Sequence, residues 1–175
     1  TLNLLLLERA EPSGIVVCTF TEKAARELRD RISAVARATG YSRDITALRV
    51  GTIHGHCHRL LTEHRRRTAL GNGFQTLDEL SRLLFLYEHR DEILGEGATA
   101  PFLGRWTSQW TALKKLGLYF DKLTEECVEP DALRASGADF PVALAGAYDR
   151  YCEALRASNR VDFAHQQRHV HDLLL

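Results

Sequence analysis

Three residues, Thr19-Phe20-Thr21, set an aromatic ring between two hydroxyl groups. At the junction of a strand and a helix, such a ring presents a π-face on which a base stacks. The hydroxyls and the N–H groups of the helix start supply donors to phosphate. The competing reading is that Phe20 packs beneath the helix that follows. A second cluster, His54-Gly55-His56-Cys57-His58, sets His54 and His58 four residues apart, the spacing of two ligands on one helical face, and His165 with His169 repeats it. No fourth ligand is identifiable, so no metal is assigned and the histidines are read as lying on polar helical faces. Arg65-Arg66-Arg67 is either a phosphate-binding cluster or a solvated helix end whose cations suit the helix dipole. Trp106 and Trp110 are either a stacking pair or, at four-residue spacing, helical core. Lys114 and Lys115 behind them face nucleic acid if that segment does.

The elements that must hold these groups follow from local pattern. Leu2 to Glu8 reads as the end of a buried helix, and Glu11 to Gly14 as a turn. Ile15 to Cys18 is a β-branched run suited to a strand covered on both faces. Thr21 can cap a helix whose first turn holds Glu22 and whose apolar face is Ala25, Leu28, Ile32 and Val35, with Gly40 at its end. Ala47 to His54 reads as a second strand, and strand-helix-strand at this spacing is a crossover unit of a parallel sheet. The ring of Phe20 then falls at the carboxyl end of a strand, where parallel sheets bind ligands.

Everything later reads as helix. One ends in Arg65-Arg66-Arg67, and a loop spans Gly71 to Phe74. Apolar stripes follow at Leu77, Leu80, Leu84 and Tyr87, then at Trp106, Trp110 and Leu113, the latter helix entered through Pro101 and closed by Gly117. Phe140, Leu144, Tyr148, Tyr151 and Leu155 give the best helical period, with both tyrosines assigned to core. A turn at Ser158-Asn159 precedes a last helix from Asp162. The fold class expected is an α/β fragment, part of a parallel sheet, followed by a mainly helical subdomain, with helix dominating.

Composition narrows the function classes. The chain has 175 residues, 45% hydrophobic and 26% charged, as in a water-soluble globular protein. Net charge is zero, so a basic binding surface must be local. No apolar run is long enough to span a bilayer, so no membrane partner is expected. The four cysteines form no Cys-x-x-Cys pair, which points to a reducing cytoplasm. There is no methionine, and the chain reads as an internal piece of a longer protein.

The segment "TFTEKAARELRDRI" (Thr19 to Ile32) resembles motif Ia of the UvrD/Rep/PcrA group of superfamily 1 DNA helicases, and "VGTIHGHCHRLLTEH" (Val50 to His64) resembles their motif Ib. "FQTLDELSRLLFL" (Phe74 to Leu86) is similar to the entry into the helical 1B insertion. "SNRVDFAHQQRHVHDLLL" (Ser158 to Leu175) is similar to the helix by which the chain leaves it. The resemblance implies a RecA-like 1A part over residues 1–70, a 1B-like insertion over 71–157, and a return to 1A over 158–175. It implies that Thr19, Phe20, Thr21 and Lys23, with Thr52, His54 and Gly55, line a single-stranded DNA path. Phe20 would lie against a base and Thr19 near the backbone, with Lys23 supporting the helix start. Partners implied are single-stranded DNA or a single/double-strand junction, and the other helicase domains of the same protein. Departures from the family pattern are Glu22 for Asn, Ile53 for an aromatic, Gly55 for Ser, and Ala164-His165-Gln166-Gln167 for an acidic pair. Glu22 sets a carboxylate where phosphates would pass, unless it pairs with Lys23 or Arg26.

ATP and Mg²⁺ are implied for the parent protein, yet no Gly-Lys-Thr/Ser occurs in this chain and no Asp-Glu follows a strand. No catalytic residue is therefore assigned, and the fragment is not expected to bind or hydrolyse ATP. The alternative, from another class, is a non-catalytic helical protein-interaction module of helicase-like architecture. That reading requires Phe20 to be buried and an apolar helical patch to be exposed instead.

Overall fold

The computed structural model describes residues 2–8, 10–95 and 108–175, in two compact units, Thr1–Leu60 and Leu61–Leu175. The expected stacking partner Trp106 and the helix entry at Pro101 lie outside the described residues.

In the first unit, α1 (Leu2–Leu6) precedes β1 (Val16–Thr19), α2 (Glu22–Ala38), β2 (Arg49–Thr52) and the start of α3 (Ile53–Glu63). Strands β1 and β2 pair in parallel, with Thr19 opposite Thr52. Helix α2 starts where Thr21 Oγ1 accepts from Ala24 N–H at 3.1 Å and ends before Gly40, whose positive φ lets Tyr41 N–H reach back to Ala36 O. Its apolar face, Ala25 and Ile32 with half-buried Leu28, packs with Leu5, Ile15, Leu48 and Val50. Two expectations fail. Strand β1 is not covered on both faces: Val16 and Cys18 are exposed, because among the described residues only one face of the pair carries a helix and its cluster. The second strand stops at Thr52, where the Thr52 hydroxyl accepts from Gly55 N–H and turns the chain into α3.

The second unit contains β3 (Gln75–Leu77), α4 (Glu79–Glu88), α5 (Arg90–Leu94), α6 (Gln109–Glu125), α7 (Pro130–Ala135), α8 (Asp139–Ala157), β4 (Arg160–Asp162) and α9 (Phe163–Leu174). The all-helix expectation misses β3 and β4, which pair in parallel with Gln75 opposite Arg160. Around them Asn159 O accepts from Gln75 N–H, and Asn159 Oδ1 accepts from Gly71 N–H.

The core of this unit is built on Phe85, Leu86, Leu113, Phe120, Tyr151 and Leu155, with the Phe120 and Tyr151 rings stacked at 4.7 Å. The predicted stripe of α4 is displaced: Leu80 and Leu84 face solvent while Phe85 and Leu86 are buried. The α8 stripe is buried at Leu144, Tyr148, Tyr151 and Leu155. Gly117 does not close a helix. It lies inside α6, where a Cβ would stand 3.1 Å from the Arg82 guanidinium and 3.5 Å from Leu86. The missing side chain lets α4 and α6 approach while Arg82 pairs with Asp121. His165 is not on a polar face either; it is buried, because Asp162 caps α9 and binds the same imidazole. Among the described residues no helix is long and apolar enough to cross a membrane.

Candidate functional site

The parallel register sets the ends of β1 and β2 side by side, Thr19 against Thr52. From β1 the chain turns outward at Phe20, whose ring is 93% exposed. The reading in which Phe20 packs under α2 is thereby excluded for the first unit. An exposed phenyl ring gains nothing from the core, so its cost in solvation is not offset within this unit.

The hydroxyls around it are engaged in holding the turn. Thr19 Oγ1 donates to Thr21 O at 3.0 Å, Thr21 Oγ1 caps α2, and Thr52 Oγ1 donates to Glu22 Oε1 at 3.1 Å while accepting from Gly55 N–H at 3.0 Å. Glu22 thus pairs with neither Lys23 nor Arg26; its carboxylate links the first turn of α2 to the capping residue of α3. Lys23 is exposed, and its Nζ lies 3.9 Å from Glu27 Oε1. Gly55 stands where a Cβ would meet Thr52 Oγ1 at 3.0 Å, so the missing side chain leaves room for the Thr52–Glu22 contact. His54 is half-buried in the first turn of α3.

Two struts beneath this ledge were not foreseen. Buried His56 donates from Nε2 to Val17 O at 3.2 Å and accepts at Nδ1 from Arg59 at 3.0 Å. Arg29 donates to Val50 O at 2.7 Å. Each ties a helix to one strand by a backbone carbonyl, a contact that leaves no periodic trace in sequence. His54 and His58 do share α3, but among the described residues no three metal-ligating side chains converge.

The remaining candidates belong to the second unit. Arg65, Arg66 and Arg67 are exposed on a short 3₁₀ turn just after α3. Lys114 and Lys115 are exposed on α6. Trp110 is 43% exposed and stacks on Tyr87 at 4.6 Å, with the Arg90 guanidinium on the same tyrosine at 4.8 Å.

A family model described as the UvrD/REP helicase N-terminal domain matches residues 1–174. Among curated proteins the chain is similar to DNA helicase II of Escherichia coli (strain K12), 30% identical over 173 residues, or 98% of this chain and 22% of that protein. It is similar to ATP-dependent DNA helicase PcrA of Leuconostoc citreum, 27% identical over 152 residues, 87% of this chain and 18% of the relative. With ATP-dependent DNA helicase SRS2 of Saccharomyces cerevisiae it shares 33% identity over 76 residues, 43% of this chain and 6% of that one. The chain spans about a fifth of the length of DNA helicase II.

Proposed function

Since the chain belongs to the UvrD/REP helicase family through its N-terminal domain, we propose that its first unit carries a single strand of DNA across the ends of β1 and β2. Phe20 is the stacking platform. Its π-face accepts any base, which suits a protein that must move along DNA without reading sequence. Lys23 and His54 lie in the first turns of α2 and α3, the helices that follow β1 and β2, each close to helix N–H groups that favour a phosphate. Thr19, Thr21, Thr52 and Gly55 shape the ledge through the hydrogen bonds they make within it. The parent protein is an ATP-driven DNA helicase or translocase in this reading, with residues 1–70 and 158–175 in its first RecA-like domain and 71–157 as an insertion. The arginines at 65–67 and the lysines at 114 and 115 serve as auxiliary phosphate contacts.

ATP and Mg²⁺ are assigned to the parent alone. The twelve glycines of this chain include none followed by Lys, so its residues offer no phosphate loop for the nucleotide, and no catalytic step is routed through them.

The observation that carries the proposal is the exposure of Phe20 at a strand end. It also favours DNA over the protein-interaction module, which needs that ring buried. The test is titration of fluorescently labelled single-stranded DNA with the intact protein and with Phe20→Ala. One stacked base contributes about 1–3 kcal/mol, so binding weakens by roughly five- to a hundred-fold. Unchanged affinity in a folded Phe20→Ala protein removes the stacking role.

A further inference from the structure

Away from the DNA ledge, the second unit encloses a cavity of about 330 Å³ between α8, β4 and α9, walled in part by Cys152, Tyr148, His165 and Val161. Two of its wall residues, Cys152 and His165, stand in line with Asp162 behind them. Cys152 Sγ lies 3.3 Å from His165 Nε2, and His165 Nδ1 lies 2.9 Å from Asp162 Oδ1. Asp162 and His165 are buried, while Cys152 is half-buried at the cavity.

The surrounding hydrogen bonds decide where the protons are. Thr124 Oγ1 donates its one proton to Phe120 O at 2.8 Å, so it accepts from Tyr148 OH at 2.9 Å. Tyr148 therefore turns an oxygen lone pair, not its proton, toward His165 Nε2 at 3.4 Å. On the other side Nδ1 faces a carboxylate that already accepts from Tyr151 OH at 2.6 Å and from His165 N–H at 2.8 Å. Nδ1 thus donates to Asp162, and, with Tyr148 offering Nε2 only a lone pair, one proton is shared between Nε2 and Cys152 Sγ: it sits on sulfur in a neutral pair and on nitrogen in a thiolate–imidazolium pair.

We propose that Cys152 is a modification site, a thiolate paired with the His165 imidazolium that reacts with small oxidants of the peroxide class entering the cavity. In the step, the sulfur attacks one peroxide oxygen, an S–O bond forms and the O–O bond breaks. Sulfur is oxidised to a sulfenic acid, and the departing hydroxide takes the Nε2 proton and leaves as water. His165 is left neutral by that transfer, still donating from Nδ1 to Asp162, with Nε2 able to accept from the S–OH group.

The charges around the pair agree with this. Burial opposes the protonated ring, but the hydrogen bonds to Asp162 and Cys152 outweigh it and hold His165 up to about 10. His169, one turn along α9, is pushed below its ordinary value by burial and by the His165 charge. Arg156, Arg160 and Arg168 line the cavity as fixed cations, and its anions Glu129 and Asp172 are both paired to Arg168.

Competitive alkylation by iodoacetamide at pH 6, read cysteine by cysteine in the intact protein by peptide mass spectrometry, tests the pair. An ordinary thiol of pKa about 8.5 is roughly 300-fold depleted in thiolate at that pH. The lower nucleophilicity of an acidic thiol removes part of this advantage, leaving about tenfold. Cys152 is expected to react about tenfold faster than exposed Cys18 and Cys127 despite its shielding. Cys57 is the slow control, its thiol pushed up by burial and by nearby Cys18. A Cys152 rate at or below those of Cys18 and Cys127 overturns the proposal, as does an unchanged rate in folded His165→Gln. If that variant does not fold, the comparison within the unaltered protein decides alone. Hydrogen peroxide with dimedone is expected to label Cys152 first, and no adduct there overturns the oxidation step.

Discussion

Both halves of the Thr52 hydroxyl are engaged inside the protein, one with Gly55 N–H and one with Glu22. The Glu22 carboxylate is exposed at this end of the sheet, an anion on a surface proposed to bind an anionic strand. Glu22→Gln keeps an oxygen for Thr52 and removes the charge. At several ångströms through water one charge pair is a modest effect, so single-stranded DNA should bind about two- to threefold tighter. The gain should shrink as salt is raised, and titration at two ionic strengths checks both points. A loss of affinity would instead mean that the carboxylate itself holds the ledge. Phe20→Trp, which keeps a π-face, is expected to retain affinity where Phe20→Ala does not; parallel titrations separate stacking from simple bulk.

Helix starts organise both units. Thr21, Asp78, Ser108 and Asp162 each accept a hydrogen bond from the N–H three residues on. Thr21→Ala should cost about 1 kcal/mol in urea unfolding. Asp162→Ala should cost more, about 3–5 kcal/mol, since it also strands the buried His165 charge. Gly117→Leu should destabilise by about 1–3 kcal/mol, because the α4–α6 approach has no space for the added carbons. How much of this could be read from residue order varies with the physics. The crossover from β1 through α2 to β2 was legible because the capping Thr21, the apolar period and Gly40 agree. The α8 period was legible from its apolar spacing alone, since no side chain caps that helix. Strands β3 and β4 were not, since three residues carry no alternation. Gly117 misled, because a glycine that admits a neighbouring helix looks in sequence like one that ends its own. At the site, the strand-end location of Phe20 was legible; its hydrogen-bonded surroundings, Glu22 to Thr52 and His56 to Val17, join residues about thirty and forty apart and leave no local signal.

For the molecule as a whole, stability should depend on pH through the buried Asp162–His165 pair. His165 is held above its unfolded value, so its contribution is full below about pH 6.5 and is lost as pH rises toward 10. Burial works against the Asp162 charge, but hydrogen bonds to His165 and Tyr151 prevail and hold the carboxyl down to about 2. That contribution is present above about pH 4 and is lost as pH falls through about 2. Urea unfolding followed by circular dichroism at pH 6.5 and pH 10 should show the alkaline loss, and His165→Gln should flatten it. Equal stability at the two pH values would mean that the ring is not charged in the folded chain. The pairing of β3 with β4 has a mechanical meaning as well. The chain arrives at the amino end of β3 and departs from the carboxyl end of β4, and the two run in the same direction. Tension along the backbone therefore pulls the ribbons lengthwise past one another, loading every rung at once rather than peeling them singly. Such a clasp would keep the helices between these two strands from being unravelled by a pull on the ends of the chain.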